Sequence, residues 1–146
     1  MPLHEVVFVA CNNGVLLFWL ALVFAPRTRL TERLVHSGAF AWVLVPAYAL
    51  MIFGDRPGPE GASFLTLEGV MRIFTSPQTV VGCWIHYLVF DLFVGAWEAR
   101  DARRIGFPHA LLVPCLALTL MFGPVGLGLY LGLRALRTRR VTLAEA

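Results

Sequence analysis

The chain has 146 residues, of which 58% are apolar and 14% charged, with a mean hydropathy of +0.73. A water-soluble core is excluded by that balance, and a single membrane domain over residues 1–146 fits it. The net charge of +3 rests on twelve Arg and no Lys, and ten of them stand just beyond apolar runs, where the guanidinium reaches lipid phosphate while its stem stays apolar. The charge therefore reads as membrane anchoring, and no nucleic-acid partner is expected.

The first apolar run, Val6 to Ala25, has 20 residues, enough to cross a hydrocarbon core about 30 Å thick. No Arg or Lys precedes it and no small-x-small cleavage site follows it before Pro26, so a retained first span is expected and not a signal peptide. A short basic connection with Arg27, Arg29 and Arg33 leads to the second run, 38–54, which carries Pro46 near its middle and can just span with a kink. The longest connection, Asp55 to Gln78, opens with the turn-rich Asp55 to Gly61. It continues with Phe64, Leu67, Val70, Met71 and Phe74 at helical spacing, opposite an i,i+4 pair of Glu68 and Arg72. That pattern predicts a short helix lying in the membrane interface between spans two and three.

The third run, 79–97, holds two ionisable residues, His86 and Asp91, and is followed by the polar stretch Glu98 to Arg104. The fourth, 110–133, has 24 residues interrupted by Gly123-Pro124, a break a spanning helix tolerates where neighbouring protein satisfies the freed backbone groups. Splitting it into two segments is disfavoured by the shortness of the halves. Gly128 and Gly132 form a GxxxG spacing suited to close helix contact. The expected fold is all-α, a four-transmembrane-helix bundle with spans near 6–25, 38–54, 79–97 and 110–133. In that reading the positive-inside count is a tie, six Arg on each side, and gives no orientation.

A carboxylate in the middle of an apolar helix is costly unless paired, hydrated or protonated, which makes Asp91 the leading candidate for chemistry, as a proton donor, against the alternative of a carboxyl that ties helices together. Trp84, Tyr87, Asp91, Gly95 and Glu98 share one helical stripe, with Glu98 two turns nearer the surface. His86 points about 140° away from Asp91, so the two cannot pair simply within one helix. As a metal ligand it would need partners from other spans, and the candidates, Asp91, His4 and His109, are sparse, so no metal is expected. Asn12 and Asn13 offer amides inside the first span, as interhelical glue or as contacts to an oxygen of a lipid-like ligand. Cys11, Cys83 and Cys115 read as packing residues. No phosphate loop, nucleophile elbow, HExxH or CxxC occurs, so no cofactor is expected.

The strings Trp84-Ile85-His86-Tyr87-Leu88-Val89-Phe90-Asp91-Leu92-Phe93-Val94-Gly95-Ala96-Trp97 and Phe122-Gly123-Pro124-Val125-Gly126-Leu127-Gly128-Leu129-Tyr130, followed by Arg134, resemble the abscisic-acid-deficient-four-like family of membrane proteins. The first run resembles it too, with Asn12 or Asn13 inside the span and Trp19 ahead of Ala25-Pro26. The family is associated with neoxanthin synthesis. The resemblance implies a redox-neutral carotenoid or isoprenoid isomerase, with Asp91 as acid, His86 as base or ligand contact, and Asn12, Asn13, Trp84 and Tyr87 along the substrate. A prokaryotic membrane is the expected home, since no long transit region precedes the first run. Partners expected are the bilayer, a carotenoid-like or lipid-like apolar ligand, and either a second copy or a biosynthetic enzyme. Two other readings stand beside it: a non-catalytic carotenoid or lipid binding protein, and a small transporter component with Asp91 as its ion site.

Overall fold

The computed structural model describes residues 1–54 and 58–143; part of the turn-rich stretch Asp55 to Gly61 lies outside the described residues. Among the described residues every regular element is a helix: α1 (Leu3–Phe24), α2 (Arg29–Thr31) continued by a π-helical turn (Glu32–His36), α3 (Ala39–Phe53), α4 (Leu67–Ile73), α5 (Pro77–Arg104), α6 (His109–Phe122) and α7 (Pro124–Thr138). Three helical stretches, Leu3–Phe24, Arg29–Phe53 and Pro77–Arg104, are long and apolar enough to cross a membrane. Their outward surfaces stay apolar, with Trp42 84% exposed and Phe53 77% exposed, the reverse of a water-soluble bundle. Pro46 sits inside α3 without ending it.

α5 outruns its expected span. Glu98 to Arg104, read from the sequence as a polar connection, continues the helix for two more turns because it contains good helix formers and no Gly or Pro. Gly106 ends it, at φ +64°. Phe107 N–H donates to the Ala102 carbonyl at 2.8 Å and Gly106 N–H to that of Arg103 at 3.4 Å, the Schellman pattern of a glycine-terminated helix.

The fourth run departs from expectation most. It is not one crossing helix but an antiparallel hairpin, the split reading the sequence disfavoured. Gly123 takes φ +39° and Pro124 opens α7 at its first position, so the chain reverses there. A Cβ on Gly126 would run into the backbone N and Oγ1 of Thr119, so α7 folds back in direct backbone contact with α6. At the open end of the hairpin, Arg137 Nη2 donates to the Gly106 carbonyl at 2.9 Å, and the Phe107 and Tyr130 rings meet edge-on at 5.6 Å. The GxxxG glycines make no such approach: nothing lies within 4 Å of a Cβ added at Gly128 or Gly132.

The chain forms two compact units, Met1–Leu16 with Ala39–Phe90, and Leu17–Gly38 with Asp91–Ala146. In the first, α4 starts where Thr66 Oγ1 accepts from Gly69 N–H at 3.1 Å, and the expected Glu68–Arg72 pair forms at 2.9 Å. Leu65, 93% exposed, and the exposed Phe64, Leu67 and Met71 leave this segment with an unburied apolar surface. In the second unit, Thr31 is fully buried and donates to the Ala25 carbonyl at 2.6 Å, while Arg103 binds Glu32 at 2.5 Å and Arg100 donates to the His36 carbonyl at 3.5 Å. His109 Nε2 donates to the Val23 carbonyl at 2.7 Å, which holds the start of α6 against the end of α1.

Candidate functional site

The second unit contains a buried polar cluster built by α5, α6 and α7. Glu98 is 0% exposed, and its two carboxylate oxygens lie 3.0 and 3.2 Å from Thr119 Oγ1, the hydroxyl that Gly126 approaches from α7. The sequence reading left Glu98 near a hydrated surface; the hairpin covers it instead. One turn further along α5, Asp101 accepts from Tyr130 Oη and Arg134 Nε, both at 2.7 Å on Oδ2, and from Arg104 Nη2 at 2.6 Å on Oδ1. Asp101 is 4% exposed and Arg134 5%, so this is an ion pair withdrawn from solvent in which both carboxylate oxygens accept hydrogen bonds, the condition under which a buried charge is tolerated. Tyr130 and Arg134 reach one carboxylate because they stand one turn apart on α7.

Asp91 belongs to the same unit. Its Oδ1 lies 3.0 Å from where a Cβ on Gly123 would stand, so the carboxyl sits against the hairpin turn and the amino end of α7, where the helix dipole favours negative charge. Between Asp91 and Glu98 on the stripe is Gly95, and the Trp19 ring fills the space its side chain would need, with Cη2 2.5 Å from an added Cβ. An apolar groove of about 200 Å³, lined by Phe93, Val94, Trp97, Leu127, Leu131 and Leu143, runs beside this cluster, and the Trp97 and Tyr130 rings meet at 5.7 Å.

In the first unit, Trp84 Nε1 donates to Asn12 Oδ1 at 3.1 Å, with the Phe8 ring 6.0 Å and the Tyr87 ring 5.7 Å from Trp84. Asn12, Trp84 and Tyr87 are thus brought together, whereas Asn13 is exposed. His86 is exposed too, its ring 4.6 Å from Phe90 and 6.0 Å from Tyr48. His86 and Asp91 fall in different units. His4 and Gln78 meet at 3.3 Å at one edge of a cavity of about 340 Å³ that Leu50, Met51, Ser76 and Thr79 help to line. Among the described residues no three His, Cys, Asp or Glu converge as metal ligands.

The chain matches the ABA DEFICIENT 4-like family over residues 6–130, from α1 into α7. It belongs to that family. It is 28% identical to Protein ABA DEFICIENT 4, chloroplastic, of Arabidopsis thaliana, over 83% of this chain and 57% of that protein, so it spans little more than half the relative's length. No solved structure matches it. Asp91, Glu98, Asp101, Thr119 and Tyr130 all lie within the stretch matched to the ABA DEFICIENT 4-like family, while Arg134, the ion-pair partner of Asp101, lies four residues beyond it.

Sequence reasoning gives Asp101 and Thr119 no place, and notes Tyr130 and Arg134 only as part of the family resemblance, without a site role. Asp101 was hidden inside an Arg-rich stretch taken for a connection, and Thr119 and Tyr130 inside an apolar run taken for a span. The i,i+4 spacing of Tyr130 and Arg134 on an otherwise apolar helix was the available signal.

Proposed function

We propose that this member of the ABA DEFICIENT 4-like family is a multi-pass membrane protein, one membrane domain, that carries out a redox-neutral isomerisation of a long apolar isoprenoid such as an epoxy-carotenoid. The observation that carries the reading is the buried Glu98, held by a single hydroxyl on the same helical stripe as Asp91. A carboxyl withdrawn from water with so few partners suits proton transfer better than it suits a structural tie.

In this reading Asp91 protonates the epoxide oxygen, the C–O bond opens to an alcohol, and a base removes a proton from the neighbouring carbon chain as a new double bond forms. Atoms and electrons balance without a redox partner. Glu98 is the second carboxyl. About 10 Å of helix rise separates it from Asp91, so the base that takes the carbon-bound proton is the Asp91 carboxylate left by the first transfer, and taking it restores the acid. In the first unit Asn12, Trp84 and Tyr87 form a separate amide–aromatic surface, and the exposed positions of His86 and Asn13 suit contact with an apolar ligand more than acid–base work.

The test is pigment analysis of membranes from a carotenoid-producing host expressing the wild type, Asp91→Asn or Glu98→Gln. A new pigment of unchanged mass, made by the wild type and lost in Asp91→Asn, is the expected result. Full conversion by both variants removes the acid–base assignment. A second reading, a carotenoid-binding protein without chemistry, is favoured by the wholly apolar and aromatic groove at Phe93, Trp97 and Leu131; it predicts stoichiometric pigment on the purified protein and no conversion.

A further inference from the structure

The hairpin changes how the chain crosses the bilayer. α6 has 14 residues and α7 has 15, so each extends about 21–23 Å, short of a hydrocarbon core of about 30 Å. The two run antiparallel, and the beginning of one and the end of the other are joined by Arg137 to the Gly106 carbonyl. Within the second unit the same end of α5 that carries Asp101 and Arg104 holds Arg134, and the end of α1 holds His109. A backbone reversal at membrane depth is tolerated only where protein surrounds it, and Gly123 is buried, with its N–H on the Thr119 carbonyl at 2.9 Å and Asp91 against it.

We propose that α6 and α7 form a re-entrant hairpin that enters and leaves the membrane at one face, so that the first connection, the end of α5 and the C-terminal tail all stand on that face. The inference rests on the membrane reading above and adds the topology. Its consequence for charge is large. A fourth crossing divides the Arg six against six; a re-entrant hairpin gathers Arg27, Arg29 and Arg33, the three at the end of α5 and the four from Arg134 to Arg140, ten of the twelve, on one side. Only Arg56 and Arg72 belong to the other connection. The positive-inside rule, tied for four spans, then retains the Arg-rich face on the side of synthesis, next to anionic headgroups. Arg100, Arg103, Arg104, Arg134 and Arg137 bind partners within the protein, which leaves Arg27, Arg29, Arg33, Arg139 and Arg140, all exposed, to meet phosphates.

The unmodified full chain tests this in sealed membrane vesicles of either orientation. Trypsin added outside should cut at Arg27 or Arg29 and at Arg139 or Arg140 in the same orientation, with both peptides lost in the other. Tail cleavage confined to the opposite orientation from cleavage at Arg27 overturns the proposal. Should trypsin reach neither site, single cysteines at Leu30, Leu65 and Val141, in a chain with Cys11, Cys83 and Cys115 changed to Ala, decide it with an impermeant maleimide. Leu30→Cys and Val141→Cys labelled together, with Leu65→Cys protected, support it, and Val141→Cys labelled together with Leu65→Cys overturns it. Release of the chain by alkaline carbonate would instead defeat the membrane reading itself, independently of the hairpin.

Discussion

Both carboxylate oxygens of Glu98 lie within hydrogen-bonding distance of one atom, Thr119 Oγ1, at 3.0 and 3.2 Å. A hydroxyl carries a single proton, so the two oxygens share one donor in a site without solvent exposure. Thr119→Val keeps the shape and removes that donor, and should destabilise the protein by about 1–3 kcal/mol, the cost of a buried polar group left unsatisfied. Thr119→Ser should lose much less. Thermal unfolding in mild detergent reads the difference; equal melting temperatures for the two variants would mean that Glu98 draws nothing from this hydroxyl.

Asp101 and Arg134 provide a second test. Arg134→Gln leaves Asp101 with Tyr130 and the half-exposed Arg104 as partners, and should cost about 3 kcal/mol, as breaking a buried pair does. Adding Asp101→Asn should restore part of that loss, because no charge is then stranded. A double-mutant cycle measured by thermal unfolding checks the coupling; strictly additive losses would contradict the pairing.

The glycines of α7 separate sharply. Gly126→Ala forces a side chain into the Thr119 backbone and should open the hairpin, whereas Gly128→Ala and Gly132→Ala enter open space and should change stability by less than about 0.5 kcal/mol. Yield and melting temperature of the three purified variants provide the comparison. Loss of folding in Gly128→Ala would point to a helix partner at that face.

At the turn, Gly123→Ala meets two penalties, a φ of +39° and the Asp91 carboxyl 3.0 Å from the new Cβ. A loss of roughly 1–3 kcal/mol is expected from the strained backbone and the displaced carboxyl together. Asp91→Ala beside it should recover only the steric part, which a melting comparison of the single and double variants measures.

The stretches Leu3–Phe24, Arg29–Phe53 and Pro77–Arg104 were legible because each contains an apolar run of near-spanning length, which needs no knowledge of direction. The hairpin was not, because an apolar run records hydrophobicity and not direction. Gly123-Pro124 serves equally as a tolerated break in a spanning helix and as the tip of a reversal. What distinguishes the two is the Gly126–Thr119 approach and the Arg137–Gly106 bond, each joining residues whose adjacency exists only after folding. The reversal also decides Glu98, which is buried where Thr119 of the returning hairpin meets it. Asp91 stands out in the sequence as a costly residue, but its neighbour, the tip of the hairpin, lies 32 positions further along the chain. Asn12 and Trp84 were both noticed, but only folding pairs them across 72 residues.

The buried cluster also imposes an order on biogenesis. α5 leaves the ribosome carrying Glu98 and Asp101 before Thr119, Tyr130 and Arg134 have been made. Until the last quarter of the chain emerges, those carboxylates have only local Arg side chains and water to meet them. In the re-entrant topology proposed above, the hairpin docks against an α5 already in place. Assembly therefore ends with a late docking step, and a chain stopped near Pro108 would display an α5 with two acids and neither α6 nor α7 to cover them.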